Sequence, residues 1–205
     1  MRRRFGRVFL SLILLVLLSA AAFTHSAYAK TIKMTGKYYQ SDARSMTQMI
    51  NKFRTGKQAW FYTPQGSKQK VKGLKKLEYD YTLEKIAMKR AAEIARSFSH
   101  TRPNGKSCFS AYPDGYMSAG ENIAMGTGFM MTTSHTLEMW KETNERYIGQ
   151  GHRRNMLSES YTCIGIACFE YNGCKYWVQE FGSPTQNTKA VAACDSKKTV
   201  KIKTK

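Results

Sequence analysis

Two periods run through the apolar positions of this chain, one that predicts helices and one that predicts strands. From Ser41 or Asp42 as N-cap, apolar residues recur at Met46, Met49, Ile50 and Phe53, spaced three and four apart, until Gly56 ends a first amphipathic helix. A second begins near Asp80 or Thr82. Leu83, Ile86, Ala87, Ala91, Ile94, Ala95 and Phe98 share its apolar face, and Lys85, Lys89, Arg90, Glu93 and Arg96 fall largely on the other. His100 follows at the helix exit, since Pro103 and Asn104-Gly105 break regular structure. A third helix, from Thr133 to Tyr147, turns Leu137 and Trp140 inward and stops at Gly149 and Gly151.

The strand signals lie between and after these helices. Residues 119–126, A-G-E-N-I-A-M-G, read as a short strand between glycines. Tyr161 to Tyr171 and Lys175 to Phe181, parted by Asn172-Gly173, carry the strongest hairpin signal of the chain. Trp60, Phe61 and Tyr62 form an aromatic patch expected in the core, and Pro64 to Lys76 a surface loop. Residues 30–40 carry no period and are expected to be an extended lead-in, with residues 184–205 a basic tail.

The N-terminus changes the picture of where the chain works. Met1-Arg-Arg-Arg precedes an apolar run from Val8 to Phe23 and the small residues around Ala27 and Ala29, the pattern of a signal peptide over residues 1–29. The run is shorter than the roughly 20 residues a spanning helix needs, so the expected mature protein is exported and does not span a membrane. Loss of Arg2, Arg3, Arg4 and Arg7, with no acid, takes the formal charge from +19 to +15. What remains suits a single domain.

Outside a cell, such a charge favours anionic wall or surface polymers or lipid headgroups as partners. The basic runs at Lys68 to Lys76 and Lys197 to Lys205 lack the interleaved aromatics of a single-strand groove, so nucleic acid is not expected. All five cysteines, Cys108, Cys163, Cys168, Cys174 and Cys194, lie in the exported part, where structural disulfides are expected and one cysteine is left over. A two-residue turn at Asn172-Gly173 puts Cys168 and Cys174 on opposite sides of the ribbon. A wider loop centred on Tyr171 sets them opposite each other, within bridging reach.

Four motifs stand in order: F-S-H-T at 98–101, G-E-N-I-A at 120–124, G-H-R-R-N-M-L at 151–157, and G-I-A-C followed by Y-W-V-Q-E-F between 165 and 181, with Trp140 on the helix between the second and third. Together they resemble the CAP superfamily (cysteine-rich secretory protein, antigen 5, pathogenesis-related 1), in its bacterial secreted branch, over residues 41–183. The resemblance implies an α+β fold, a three-layer α-β-α sandwich around a small antiparallel sheet. It also implies a cleft of two histidines and two glutamates, matched here by His100, Glu121 and His152. The fourth position is Thr143. Glu142 is one residue away, and a helical step of about 100° turns it elsewhere.

His100 and His152, with a carboxylate and water, make a ligand set that zinc accepts, and zinc-bound water is a nucleophile. Glu121 has an alternative role, accepting backbone N–H groups and tying loops together. Asn155 is expected to bond backbone near His152, and Arg102 and Arg153 to face solvent. No Ser or Cys triad is apparent, and His135 lies outside every motif. A cell-surface binding or effector module is therefore the favoured class. A zinc-dependent hydrolase of peptide or wall material is the alternative, and sterol or lipid binding is implied only by eukaryotic relatives.

Overall fold

The computed structural model describes residues 30–205, so the expected signal peptide lies outside the described residues. Strand β1 (Lys30–Tyr38) leads into helix α1 (Gln40–Thr55). A small hairpin, β2 (Trp60–Tyr62) and β3 (Lys68–Lys70), occupies part of the segment expected to be loop. Strand β4 (Glu78–Tyr79) then precedes helix α2 (Tyr81–Arg96) and strand β5 (Ser118–Thr127). Helices α3 (Thr133–Lys141) and α4 (Gly151–Met156) follow, and the chain closes with β6 (Cys163–Tyr171), β7 (Cys174–Ser183) and β8 (Lys197–Thr204). The main sheet runs β5-β7-β6-β1-β8 with antiparallel neighbours, and β4 adds a short parallel pairing to β6.

Alternation along the central strands explains the layering. Ile164, Ile166 and Cys168 of β6, with Trp177 and Phe181 of β7, face α1 and α3 and pack on Met46, Ile50, Leu137 and Trp140. Ala167, Phe169 and Val178 point the other way, onto Ala87, Ala91 and Ile94 of α2. Helices on both faces of a mixed, largely antiparallel sheet make the expected α-β-α sandwich.

The hairpin has the two-residue turn. Asn172 and Gly173 both have positive φ (51° and 74°), Tyr171 pairs with Cys174, and Cys168 pairs with Trp177. Cys168 and Cys174 are therefore not opposite each other, and all five thiols are free.

The two ends depart most from expectation. The lead-in is a strand, and the tail returns as β8 to pair with it along its whole length, from Lys30 opposite Thr204 to Lys37 opposite Lys197. Asp195, in the segment leading to β8, accepts the Ser41 N–H at 2.9 Å, so the first turn of α1 is satisfied from a distant segment and the helix starts at Gln40 rather than after Ser41. Helix α3 ends six residues early. Its apolar stripe has no member after Trp140, and Glu142 takes a left-handed conformation (φ 46°, ψ 43°).

Helix α2 lies close on the sheet because Gly165 leaves room. A Cβ there would stand 2.1 Å from the Glu84 nitrogen and 2.2 Å from the Leu83 carbonyl carbon, both backbone atoms that cannot step aside. Gly165→Ala is therefore expected to cost on the order of 1–3 kcal/mol in denaturant unfolding, the usual range for overpacking. An unchanged midpoint would show that α2 is not held at this distance.

Candidate functional site

Helix α2 starts cleanly, with the Asp80 carboxylate accepting the N–H groups of Thr82 and Leu83, and it carries Arg90 and Glu93 into the interior. Both were expected on the solvent face, but each has a charged partner inside. Arg90 Nε donates to Glu121 Oε2 at 2.7 Å, its Nη1 to Glu93 Oε2 at 2.8 Å, and its Nη2 to the Ser99 carbonyl at 2.7 Å. Arg102, also expected to face solvent, is buried and forks onto Glu93 with contacts of 2.7 and 2.9 Å. Burial pushes the Glu93 carboxyl up, but Arg102 and Arg90 outweigh it and hold it below the usual carboxylate range.

His100 stands at the end of this network. Its Nδ1 lies 2.7 Å from Glu121 Oε1; the imidazole is 57% exposed and the carboxylate 1%. Glu121 thus binds two side chains rather than the backbone N–H groups expected of it. Desolvation pushes its pKa up, and the hydrogen bonds from His100 and Arg90 more than reverse this. Opposite Glu121 across the β5–β7 pairing is Glu180, fully buried. Its Oε2 accepts the Tyr112 hydroxyl at 2.8 Å, whereas Oε1 has no partner that could donate to it. Burial, then the negative charge of Glu121, raises the Glu180 pKa well above the carboxylate range and favours the protonated acid.

His152, on α4, belongs to a second pair. Its Nδ1 meets Glu142 Oε1, and the other oxygen of Glu142 accepts the Arg153 N–H at 3.2 Å. The helical-step argument against Glu142 fails because residue 142 has left the helix. The His152 ring lies 6.3 Å from that of Trp140, whose Nε1 donates to the Ile123 carbonyl of β5. Arg153 is buried, not solvent-facing: its guanidinium caps the Trp60 ring at 4.0 Å and serves the carbonyls of Trp60, Lys141 and Gln58. Burial lowers its pKa to about 10.

Asn155 bonds the edge strand rather than the backbone near His152, donating to Asn122 Oδ1 at 2.8 Å and the Glu121 carbonyl at 3.3 Å. Asn122 in turn donates to the His152 carbonyl. His135 is half-buried and takes no part.

The structure therefore joins His100 to Glu121 and His152 to Glu142, in two hollows that share strand β5. One, of about 430 Å³, is lined by His100, Cys108, Glu121, Asn155 and Tyr161. The other, of about 600 Å³, is lined by Phe98, Trp140, Glu142, Thr143 and His152. Each histidine has Nδ1 committed to a carboxylate, the orientation metal-ligating imidazoles use, which leaves Nε2 for a ligand. Glu121 does not fit as the third ligand, since Arg90 and His100 hold both its oxygens.

Among the described residues, the metal-type groups whose ligand atoms all lie within 4.8 Å of one another are His100, Cys108 and Glu121, without His152. That set does not suit zinc either. Arg90 sets a positive charge against it, and burial, followed by the charges of Glu121 and Glu180, pushes the Cys108 thiol up to about 11. Arg90, Tyr112 and Glu180 were missed in the sequence; the only signal was an acid inside the apolar strand Y-W-V-Q-E-F.

Residues 47–181 match the profile of the Cysteine-rich secretory protein family, CAP, and the chain belongs to that family. It is 30% identical over 120 residues to the uncharacterized protein YkwD of Bacillus subtilis (strain 168), a match covering 56% of this chain and 42% of that one, so it spans less than half the length of this curated relative. Among solved structures it is similar to an outer surface protein from Borrelia burgdorferi, with a TM-score of 0.53 and 20% identity over 72% of this chain and 97% of that one. It also resembles venom allergen-like protein 4 of Schistosoma mansoni, with a TM-score of 0.48 and 15% identity over 74% of this chain and 95% of the other. Among the described residues no helix is long and apolar enough to cross a membrane.

The Glu121–Glu180 pair has a pH signature. Glu180 has a raised folded pKa, so its contribution is complete below the ordinary carboxylate range and is lost as pH rises from there through the raised value. Glu121, being lowered, acts at the acid end instead, losing its contribution as pH falls. In Glu180→Gln, a neutral amide replaces the neutral acid, and the decline of stability above the carboxylate range should flatten. Superimposable pH–stability curves for variant and wild type would contradict the assignment.

Proposed function

We propose that this protein is an extracellular binding module, held at an anionic surface, and not an enzyme. The observation that carries this reading is that, among the described residues, the polar groups of the cleft are committed to one another and no activated nucleophile stands beside them. Glu121, Glu93 and Glu142 each bind a guanidinium or an imidazole, Ser99 Oγ accepts the Thr101 N–H at 3.0 Å, and burial pushes the Cys108 thiol up to about 11. Export is supported by the signal-like residues 1–29, and a surface location by the likeness to a protein named for the outer surface.

Retention should follow from charge. A chain beginning at Lys30 is expected to sediment with purified anionic cell-wall material at roughly 50 mM salt and to be released by several hundred mM, as screening shortens the reach of its lysines. No retention at low salt, or retention indifferent to salt, would contradict it.

A second reading, metal-assisted hydrolysis, draws on one feature: both imidazoles are oriented through Nδ1 and offer Nε2. It requires stoichiometric zinc uptake that disappears in His152→Ala, together with peptide or wall hydrolysis that disappears with it. The binding reading expects calorimetry to find no such uptake in the wild type.

A further inference from the structure

We propose that the outward face of the β1–β8 ribbon is a docking strip for an unbranched phosphodiester polymer without bases, of the polyol-phosphate kind. This rests on the surface-retention reading and names where the contact is made and what makes it.

The strip follows from register. Residues directly opposite in an antiparallel pair share a face. Ile32, Met34 and Tyr38 of β1 and Val200 and Ile202 of β8 point inward to α2. The alternate positions point outward and form four rows: Lys37 with Lys197, Thr35 with Thr199, Lys33 with Lys201, and Thr31 with Lys203. The two threonine hydroxyls meet at 2.8 Å, as residues of one face should.

Neither strand carries an acid, and among the described residues none of these lysines has a salt bridge. The nearest acid in the pairing is Glu170, opposite Lys37 on β6, and it is also opposite Lys175 of β7 and accepts the Tyr39 hydroxyl.

Like charges directly across a ribbon destabilise it. Lysines on an edge strand are a common guard against strand addition, and that accounts for those on β8. It accounts for Lys33 as well, where β1 has only β8 beside it, but not for Lys37, where β1 also pairs with β6. At about 3.4 Å per residue, the rows are about 7 Å apart and the strip about 20 Å long, a cationic track with a hydroxyl pair between its first two cationic rows. The cations are all lysines, which bind phosphate as point charges and do not require the fixed geometry of a bidentate fork. The four rows themselves hold no aromatic on which a base could stack, and the next residue on this face, Tyr39, has the Lys37 and Lys175 ammoniums over its ring at 4.3 and 4.2 Å. Both strands lie outside residues 47–181, so the strip is an addition to the region matched by the family.

The test is equilibrium binding of the chain from Lys30 to labelled poly(glycerol phosphate) over a salt series. A triple variant, Lys33→Thr, Lys201→Thr and Lys203→Thr, keeps good strand formers and removes like-charge pairs, so it should fold. Its expected affinity at low salt is at least tenfold weaker, with the slope of log K against log salt smaller by about 2, at roughly 0.7 per lost contact. A control variant, Lys72→Thr, Lys75→Thr and Lys76→Thr, removes the same charge elsewhere and should bind like the wild type.

Equal losses in both variants would reduce the strip to net charge and overturn it. So would tighter wild-type binding to poly(dT), to polygalacturonate or to phosphatidylglycerol vesicles than to poly(glycerol phosphate). If the wild type binds anionic wall material but the strip variant does so equally well, the strip fails while the surface reading stands; if the wild type binds no anionic wall material, the surface reading fails first.

Discussion

A buried guanidinium, that of Arg90, ties the second helix to the edge strand of the sheet. Its three nitrogens reach Glu121 on β5, Glu93 on its own helix and the Ser99 carbonyl at the start of the loop that carries His100. Burying such a charge is costly unless it is paired, and here each nitrogen has a fixed partner. The consequence is positional. Glu121 is fixed by Arg90, His100 is fixed by Glu121, and Glu180 is kept neutral behind them because a second negative charge has no counterion left.

That chain of dependence is what supports the proposed holding role of the cleft. Each imidazole is oriented by a carboxylate, and Asn122 and Asn155 lock the edge strand to α4 between the two hollows. The result is a rigid pair of recesses on either side of one strand. The basic ribbon of the first and last strands lies elsewhere, so the proposed recognition of an anionic support is separable from the recesses.

Much of the scaffold was legible from pattern. The hairpin was readable because Asn172 and Gly173 tolerate the positive φ its turn needs, and the start of α2 because Asp80 precedes an apolar stripe. His100 and Glu121 were found by their motifs, and they do meet. What pattern could not show was the ionic interior. A binary reading assigns arginine and glutamate to solvent, so Arg90, Glu93, Arg102 and Arg153 went to the wrong side. Their burial depends on partners distant in sequence. Glu142 was misjudged because the helix was carried on to Tyr147, past Trp140, the last member of its apolar stripe, and β8 was missed because a strand dominated by lysine looks like a tail until its partner β1 is known.

The account stands on the coupling between Arg90 and Glu121, and a double-mutant cycle measures it directly. With Arg90→Met, Glu121→Gln and the double variant unfolded in denaturant at neutral pH, the coupling should be on the order of 3 kcal/mol, since either single change strands a buried charge that the double change removes. Effects that add to within about 0.5 kcal/mol would mean that the two groups do not depend on each other, and the placement of His100 would need another cause.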